Sequence, residues 1–243
     1  MEQRTIGVIA IGVAIIASTW ILASAWTDTH ESVKKINVTG LAETNFSSDL
    51  VVWRATFERT GESVASVYGT LRRDADLVRD YLIRQGVDAS EIVIGAIDVV
   101  KQYSSIRLPS GGYQQEFAGY RLWQSVKVES GNVDKIEKVS REISELLNAG
   151  VELNSRAPEY YYTKLSEVKI DLLSRAAADG RERATALAEN AGGKLGDLDR
   201  ADMGIFQITA QNSNEEYTWG GAFNTSAKHK TAAITVRMQF SVN

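Results

Sequence analysis

Apolar positions along this chain recur with two periods and, at the N-terminus, in one unbroken run. The plainest helical spacing lies between Val151 and Leu195. There Leu165, Val168, Leu172, Ala176, Leu187, Ala188 and Ala191 fall at steps of three and four or their multiples, tracing one apolar stripe. Lys169, Asp171, Arg175, Arg181, Glu182, Arg183 and Glu189 lie between them and suit a solvated face. The alanines make a slim face that lets a helix lie close on a sheet or another helix, with Ala177, Ala184 and Ala188 expected on or beside the buried side. Gly180 is a weak point in this helix, costing about 1 kcal/mol against Ala, and Gly192-Gly193 stops it.

A second helical stretch, Glu62 to Gln85, lines up Val64, Val67, Leu71, Ala75, Val78 and Leu82, and Gly86 follows as a left-handed stop. A third, Val133 to Asn148, turns Ile136, Val139, Ile143 and Leu146 inward, with Asn132 as N-cap and Ala149-Gly150 at its end. Strand spacing appears in Lys34 to Ala42 and in Leu50 to Thr60, joined by a loop from Gly40 to Ser48. Ile92 to Ser105 and Phe117 to Glu129 read as two arms of a hairpin around Leu108-Pro109-Ser110-Gly111-Gly112. One strand-like run ends in Tyr160, Tyr161 and Tyr162, and another covers Leu195 to Gln207. His229 to Val242 alternates, with Ala232, Ile234, Val236, Met238, Phe240 and Val242 on one face.

The order is β-β-α-β-β-α-β-α-β-β, which predicts an α+β fold with helices packed on a mainly antiparallel sheet. No linker interrupts Lys34–Asn243, so this region reads as one domain, with two lobes left open. One N-terminal hydrophobic helix precedes it. Ile6 to Ala25 carries no charge and reaches roughly 30 Å, the thickness of a bilayer core. Residues 1–26 are therefore expected to form a membrane anchor and residues 27–33 a polar tether. The alternative is a cleaved signal peptide with Ala23-Ser24-Ala25 as its A-x-A site. Arg4 on one side and Lys34 and Lys35 on the other leave the positive-inside rule nearly silent.

Composition narrows the chemistry. A net charge of −4 with interspersed signs gives no reason to expect nucleic acid. Zero cysteines remove disulfides and thiolate chemistry. The two histidines, His30 and His229, stand on no metal-ligand spacing, and no catalytic or phosphate-binding motif is present. The reading therefore assigns no catalytic residue, no metal and no cofactor.

Two aromatic features stand out as candidate partner contacts. In a strand Tyr160 and Tyr162 share one face and Tyr161 takes the other, so the cluster either packs on a helix or forms a contact surface. In the polar stretch Gln211 to Lys228, Tyr217, Trp219 and Phe223 stand as large rings with Gly220 and Gly221 between them. Such a segment is either disordered or an interface.

The aromatic-Tyr-Thr-Lys-Leu run at Tyr161–Leu165, the alanine-rich helix and Gly-Lys-Leu-Gly at 193–196 resemble the SIMPL domain, or DUF541, family. Val38-Thr39-Gly40, Gly86-Val87 and Ile92-Val93-Ile94 fit the same pattern, and the resemblance runs from about Lys34 to the C-terminus. Its motifs are structural. It implies the bacterial envelope or periplasmic branch: N-terminus inside, a single pass through the inner membrane, and the domain in the periplasm (or a soluble periplasmic protein after cleavage). It also implies a homo-oligomer, an envelope protein partner and a role in envelope or oxidative-stress tolerance. A eukaryotic relative binds a signalling kinase, so the fold does not fix the function. The expectation is a binding or assembly module and no enzyme. A ring- or pore-like structural oligomer and a hydrolase of an envelope polymer using acidic residues are the alternatives.

Overall fold

The computed structural model describes residue 12, residues 16–21 and residues 34–243. Residues 16–21 are helical, but among the described residues no helix is long and apolar enough to cross a membrane. Of Ile6–Ala25, over which the transmembrane helix is expected, only residues 12 and 16–21 are described. The remainder of that segment, the Ala23-Ser24-Ala25 motif and the tether lie outside the described residues.

The elements are β1 (Lys34–Ser47), β2 (Leu50–Gly61), α1 (Val64–Arg84), β3 (Ile92–Arg107), β4 (Tyr113–Ser130), α2 (Val133–Glu142), β5 (Leu153–Ser155), β6 (Glu159–Tyr161), α3 (Leu165–Asn190), β7 (Leu195–Met203), β8 (Gln207–Ala210) and β9 (His229–Val242). The α+β class holds, and β2 with β4, β5 and β6, β3 with β4, and β9 with β7 and β8 all pair antiparallel. One sheet runs β1-β9-β7 with β8 also on β9; the other runs β3-β4-β2-β5 with β6 also on β2.

Four expectations change. The single run ending in tyrosines is two short strands, because Pro158 between them has no N–H to give to a ladder. The run Leu195–Gln207 is likewise broken after Met203, where Gly204 bonds Thr235 O at 2.8 Å and β8 starts afresh. The loop placed at Gly40–Ser48 is strand as far as Ser47, where β1 ends. The third helix is α for Val133–Glu142 only and tightens to a 3-10 turn over Ile143–Ala149 before Gly150 takes φ 80°. Asn132 caps it as expected, its side chain accepting from Lys135 N at 3.2 Å.

Chain packing divides the described residues into two units, and the division falls within β1, α3 and β9. In the larger unit α1 and α2 cover one face of the β3-β4-β2-β5 sheet. Strand alternation puts Val51, Trp53, Ala55 and Phe57 of β2 and Leu122, Val126 and Val128 of β4 on that face, all fully or nearly fully buried. Leu71, Val78 and Leu82 of α1 and Ile136 and Val139 of α2 meet them. Buried Asp74 of α1 accepts two bonds from Arg59 of β2, at 2.5 and 3.0 Å, and Arg59 also reaches Gly150 O. That charge is thus paired as well as hydrogen-bonded, the condition for burying one.

In the smaller unit, α3 buries Gly180, Ala184 and Ala188. With Leu172 and Ala176 upstream these make a ridge spaced by four, small at every position after Leu172, whereas Leu187 of the expected stripe is exposed. Gly180 is no weak point. A Cβ there would overlap Met238 Cε and stand 3.2 Å from Gly40 N, so the close approach of the helix to Met238 and the β1 backbone depends on glycine at 180.

A clamped aromatic turn as the candidate interaction site

The segment between β8 and β9 carries Tyr217, Trp219 and Phe223, and it is bonded along its length. Thr218 to Gly221 form a tight turn, Gly221 N donating to Thr218 O at 3.1 Å with φ 90° at Gly221. Buried Gln207 of β8 grips both sides of that turn. Its Oε1 accepts from Thr218 N at 3.3 Å and Ala222 N at 2.6 Å, and its Nε2 donates to Thr218 O at 2.9 Å. Ile208 N then donates to Ala222 O at 2.7 Å, and Asn224 N donates to Ile208 O at 2.9 Å. Further back, Glu215 accepts from Ala210 N at 2.9 Å and from the Asn224 amide at 2.5 Å.

Lys230 of β9 ties this segment to the tyrosine strand. Its side chain is 2% exposed, and its ammonium donates to Tyr160 O at 2.6 Å and to Asn224 O. Tyr160 N adds a bond to Thr225 O at 2.7 Å. Burial pulls the Lys230 pKa down to about 8, and the charge of Glu215 opposes that shift. Both acceptors of the ammonium are uncharged carbonyls, so no ion pair offsets the cost of burying it.

The mounted turn holds Trp219 at 95% exposure, with Tyr217 and Phe223 each about half exposed. The Tyr217 hydroxyl donates to Glu43 Oε1 at 3.2 Å; burial, with that carboxylate beside it, raises the hydroxyl's pKa. The tyrosines at 160–162 behave differently. Tyr160 belongs to the core of the larger unit. Tyr161 donates from its hydroxyl to Glu159 at 3.1 Å, and that carboxylate also holds Arg54 at 2.7 Å. Tyr162 lies past the end of β6 with its ring 4.8 Å from Phe46. These three rings therefore spend much of their surface inside the fold, leaving Trp219 as the freely presented one.

Gln207 and Lys230 escape a search for functional motifs, yet β9 carried the signal for one of them. Its inward positions run Ala232, Ile234, Val236, and the same parity one step earlier falls on Lys230. A lysine at an inward position must find acceptors in the fold. Nothing in the residues around Gln207 announces that its amide turns to a segment eleven residues on.

Another polar group gathers at the start of α2, where Ser47, Ser48, Asn132, Asp134, Lys228 and His229 line an open cleft. His229 Nδ1 lies 2.9 Å from Ser47 Oγ, and Lys228 pairs with Asp134. The lysine holds the Asp134 carboxyl below the ordinary range. Among the described residues no cluster of three or more His, Cys, Asp or Glu could hold a metal ion; His30 lies outside them.

Compared with known proteins, residues 36–243 match the family model SIMPL, described as a protein of unknown function (DUF541). No curated protein matches the chain.

Proposed function

For this chain, which belongs to the SIMPL (DUF541) family, we propose a role as a binding and assembly module, and not as an enzyme. One observation carries the reading: a tryptophan 95% exposed on a turn that a buried glutamine holds by three bonds. A large ring left in water gains nothing for the folded chain alone. Aromatic anchors on a preformed frame are what interfaces use, since the ordering cost is met before the partner arrives. Trp219 is the anchor, with Tyr217 and Phe223 flanking it, and the partner is a second copy or an envelope protein.

The module is held at a membrane by Ile6–Ala25, with residues after Trp26 outside the cytoplasm. The support is an uncharged run of bilayer length. Carbonate extraction and N-terminal sequencing of mature protein from the native host test this part. A soluble mature chain beginning at Trp26 refutes the anchor. The tolerance of envelope or oxidative stress implied by the family resemblance completes the reading, and a deletion strain under each stress checks it.

Trp219→Ala tests the contact itself. Sedimentation of the full chain should show assembly or partner binding weakened roughly thirtyfold, the equivalent of about 2 kcal/mol, while thermal melting stays where it was. Unchanged association with unchanged melting would remove Trp219 as the anchor.

A further inference from the structure

The β3–β4 hairpin carries a second uncovered surface with a different geometry. β2 pairs with β4 only from Tyr120 to Ser130. Beyond that point β4 residues 113–119 pair with β3 alone, so the two strands project as a ribbon. β3 is the edge of its sheet and runs 16 residues, about 50 Å at strand rise. A long edge of this kind leaves a row of N–H and C=O groups open to another strand.

Exposure along β3 is graded. On the core-side face Ile92, Ile94 and Ile97 rest against the core of the larger unit, whereas Val99 and Tyr103 beyond them are exposed; Val93, Val100 and Ile106 are exposed on the outward face. On the core-side face the apolar surface continues past the helices as a line of rings. Tyr120 packs on the core, Phe117 stands 5.1 Å from it, and Tyr103 stands 6.0 Å from Phe117. Tyr113, 74% exposed, follows near the tip.

We infer that the β3 edge pairs with the β3 edge of a second copy, antiparallel, about a two-fold axis perpendicular to the sheet. This inference rests on the reading of the chain as an assembly module and names a surface distinct from the Trp219 turn. Antiparallel pairing sets the exposed half of each β3 beside the core-backed half of the other. Because that axis keeps each face of the sheet on its own side, the Tyr103 ring, backed by Phe117 of β4, comes alongside the Ile94–Ile97 stretch of the other copy. One symmetric contact thus occupies the open backbone edge and gives the aromatic line an apolar neighbour. A strand from an unrelated protein would use the edge but has no reason to match this gradient.

The cysteine-free chain makes the test direct. Single cysteines are placed in the full chain at Asp98, Val100 or Gln102, on the outward face around the expected axis, and at Ser66 of α1 as control. Mild oxidation should give a disulfide-linked dimer at one of the three β3 positions and none at Ser66, because only a residue near the axis meets itself within disulfide reach. Val100→Lys, at an exposed site, should weaken self-association at least tenfold in sedimentation without moving the melting point. A mass above the monomer with no β3 disulfide and no effect of Val100→Lys overturns the β3 contact and leaves the assembly reading standing. A monomer in every condition, as a foreign peptide at this edge would leave it, overturns the β3 contact and the self-association half of the reading, and leaves an envelope protein as the partner of the Trp219 turn.

Discussion

Gly180 of α3 lies against the backbone of Gly40 in β1: a Cβ on Gly180 would sit 3.2 Å from Gly40 N and 3.3 Å from Gly40 Cα, and would overlap Met238 Cε. The local preference of a helix for alanine and the packing of this helix point in opposite directions.

Gly180→Ala decides between them. Helix propensity alone would stabilise the chain by about 1 kcal/mol, whereas overpacking against Met238 and the β1 backbone should destabilise it by about 1–3 kcal/mol. We expect the urea midpoint to fall. A midpoint that rises would mean the helix moves away from β1 at little cost.

Lys230 gives a pH dependence of defined sign. Its pKa is about 8 in the folded chain against 10.5 for the free side chain. Between those values the unfolded chain holds a proton that the folded chain has released, so stability rises with pH. From pH 7 to 9 the contribution should be on the order of 1 kcal/mol, and Lys230→Met should abolish it. The window closes near pH 10, because Tyr81, Tyr160, Tyr161 and Tyr217 have raised pKa values and act with the opposite sign. Urea midpoints for both proteins at half-unit pH steps supply the comparison, and equal slopes would refute the assignment.

Gln207→Leu keeps the bulk and removes the clamp. Three main-chain groups of the turn, Thr218 N, Thr218 O and Ala222 N, then lose their partner. The expected loss is about 1–3 kcal/mol. Hydrogen exchange at Gly221 and Ala222 should speed up while amides of β2 and β4 keep their protection. Uniform acceleration across the chain would show global destabilisation instead.

Arg59→Leu strands the buried Asp74 carboxylate and should cost about 3 kcal/mol. Adding Asp74→Leu should restore part of that loss, since the penalty belongs to the unpaired charge. A double variant no more stable than the single one would place the cost in packing.

How far the chain could be read ahead of its structure depended on where each signal sat. The helices were legible because α1 and α3 repeat their buried residues every three or four positions, and Gly86 and Gly150 stop their helices in the left-handed conformation expected of such glycines. The break between β5 and β6 was less visible, although Pro158 marked it. Gly40 stands inside β1, not in a loop, and its backbone lies against Gly180, 140 residues away, a contact that no local pattern carries. Trp219 was legible as a large ring in a polar segment. Its mount was not, because Gln207 and Lys230 act through main-chain carbonyls and amides, which every sequence possesses.

That mount has a consequence for how the surface can change over time. Each bond from Gln207 ends on main-chain atoms of Thr218 or Ala222, and Lys230 ends on main-chain oxygens of Tyr160 and Asn224. The side chain at 219 takes no part in holding its own turn. Position 219 is thus a socket whose occupant can be exchanged while the frame stays intact. Recognition can drift, or be redesigned, by swapping that residue without re-solving the fold beneath it.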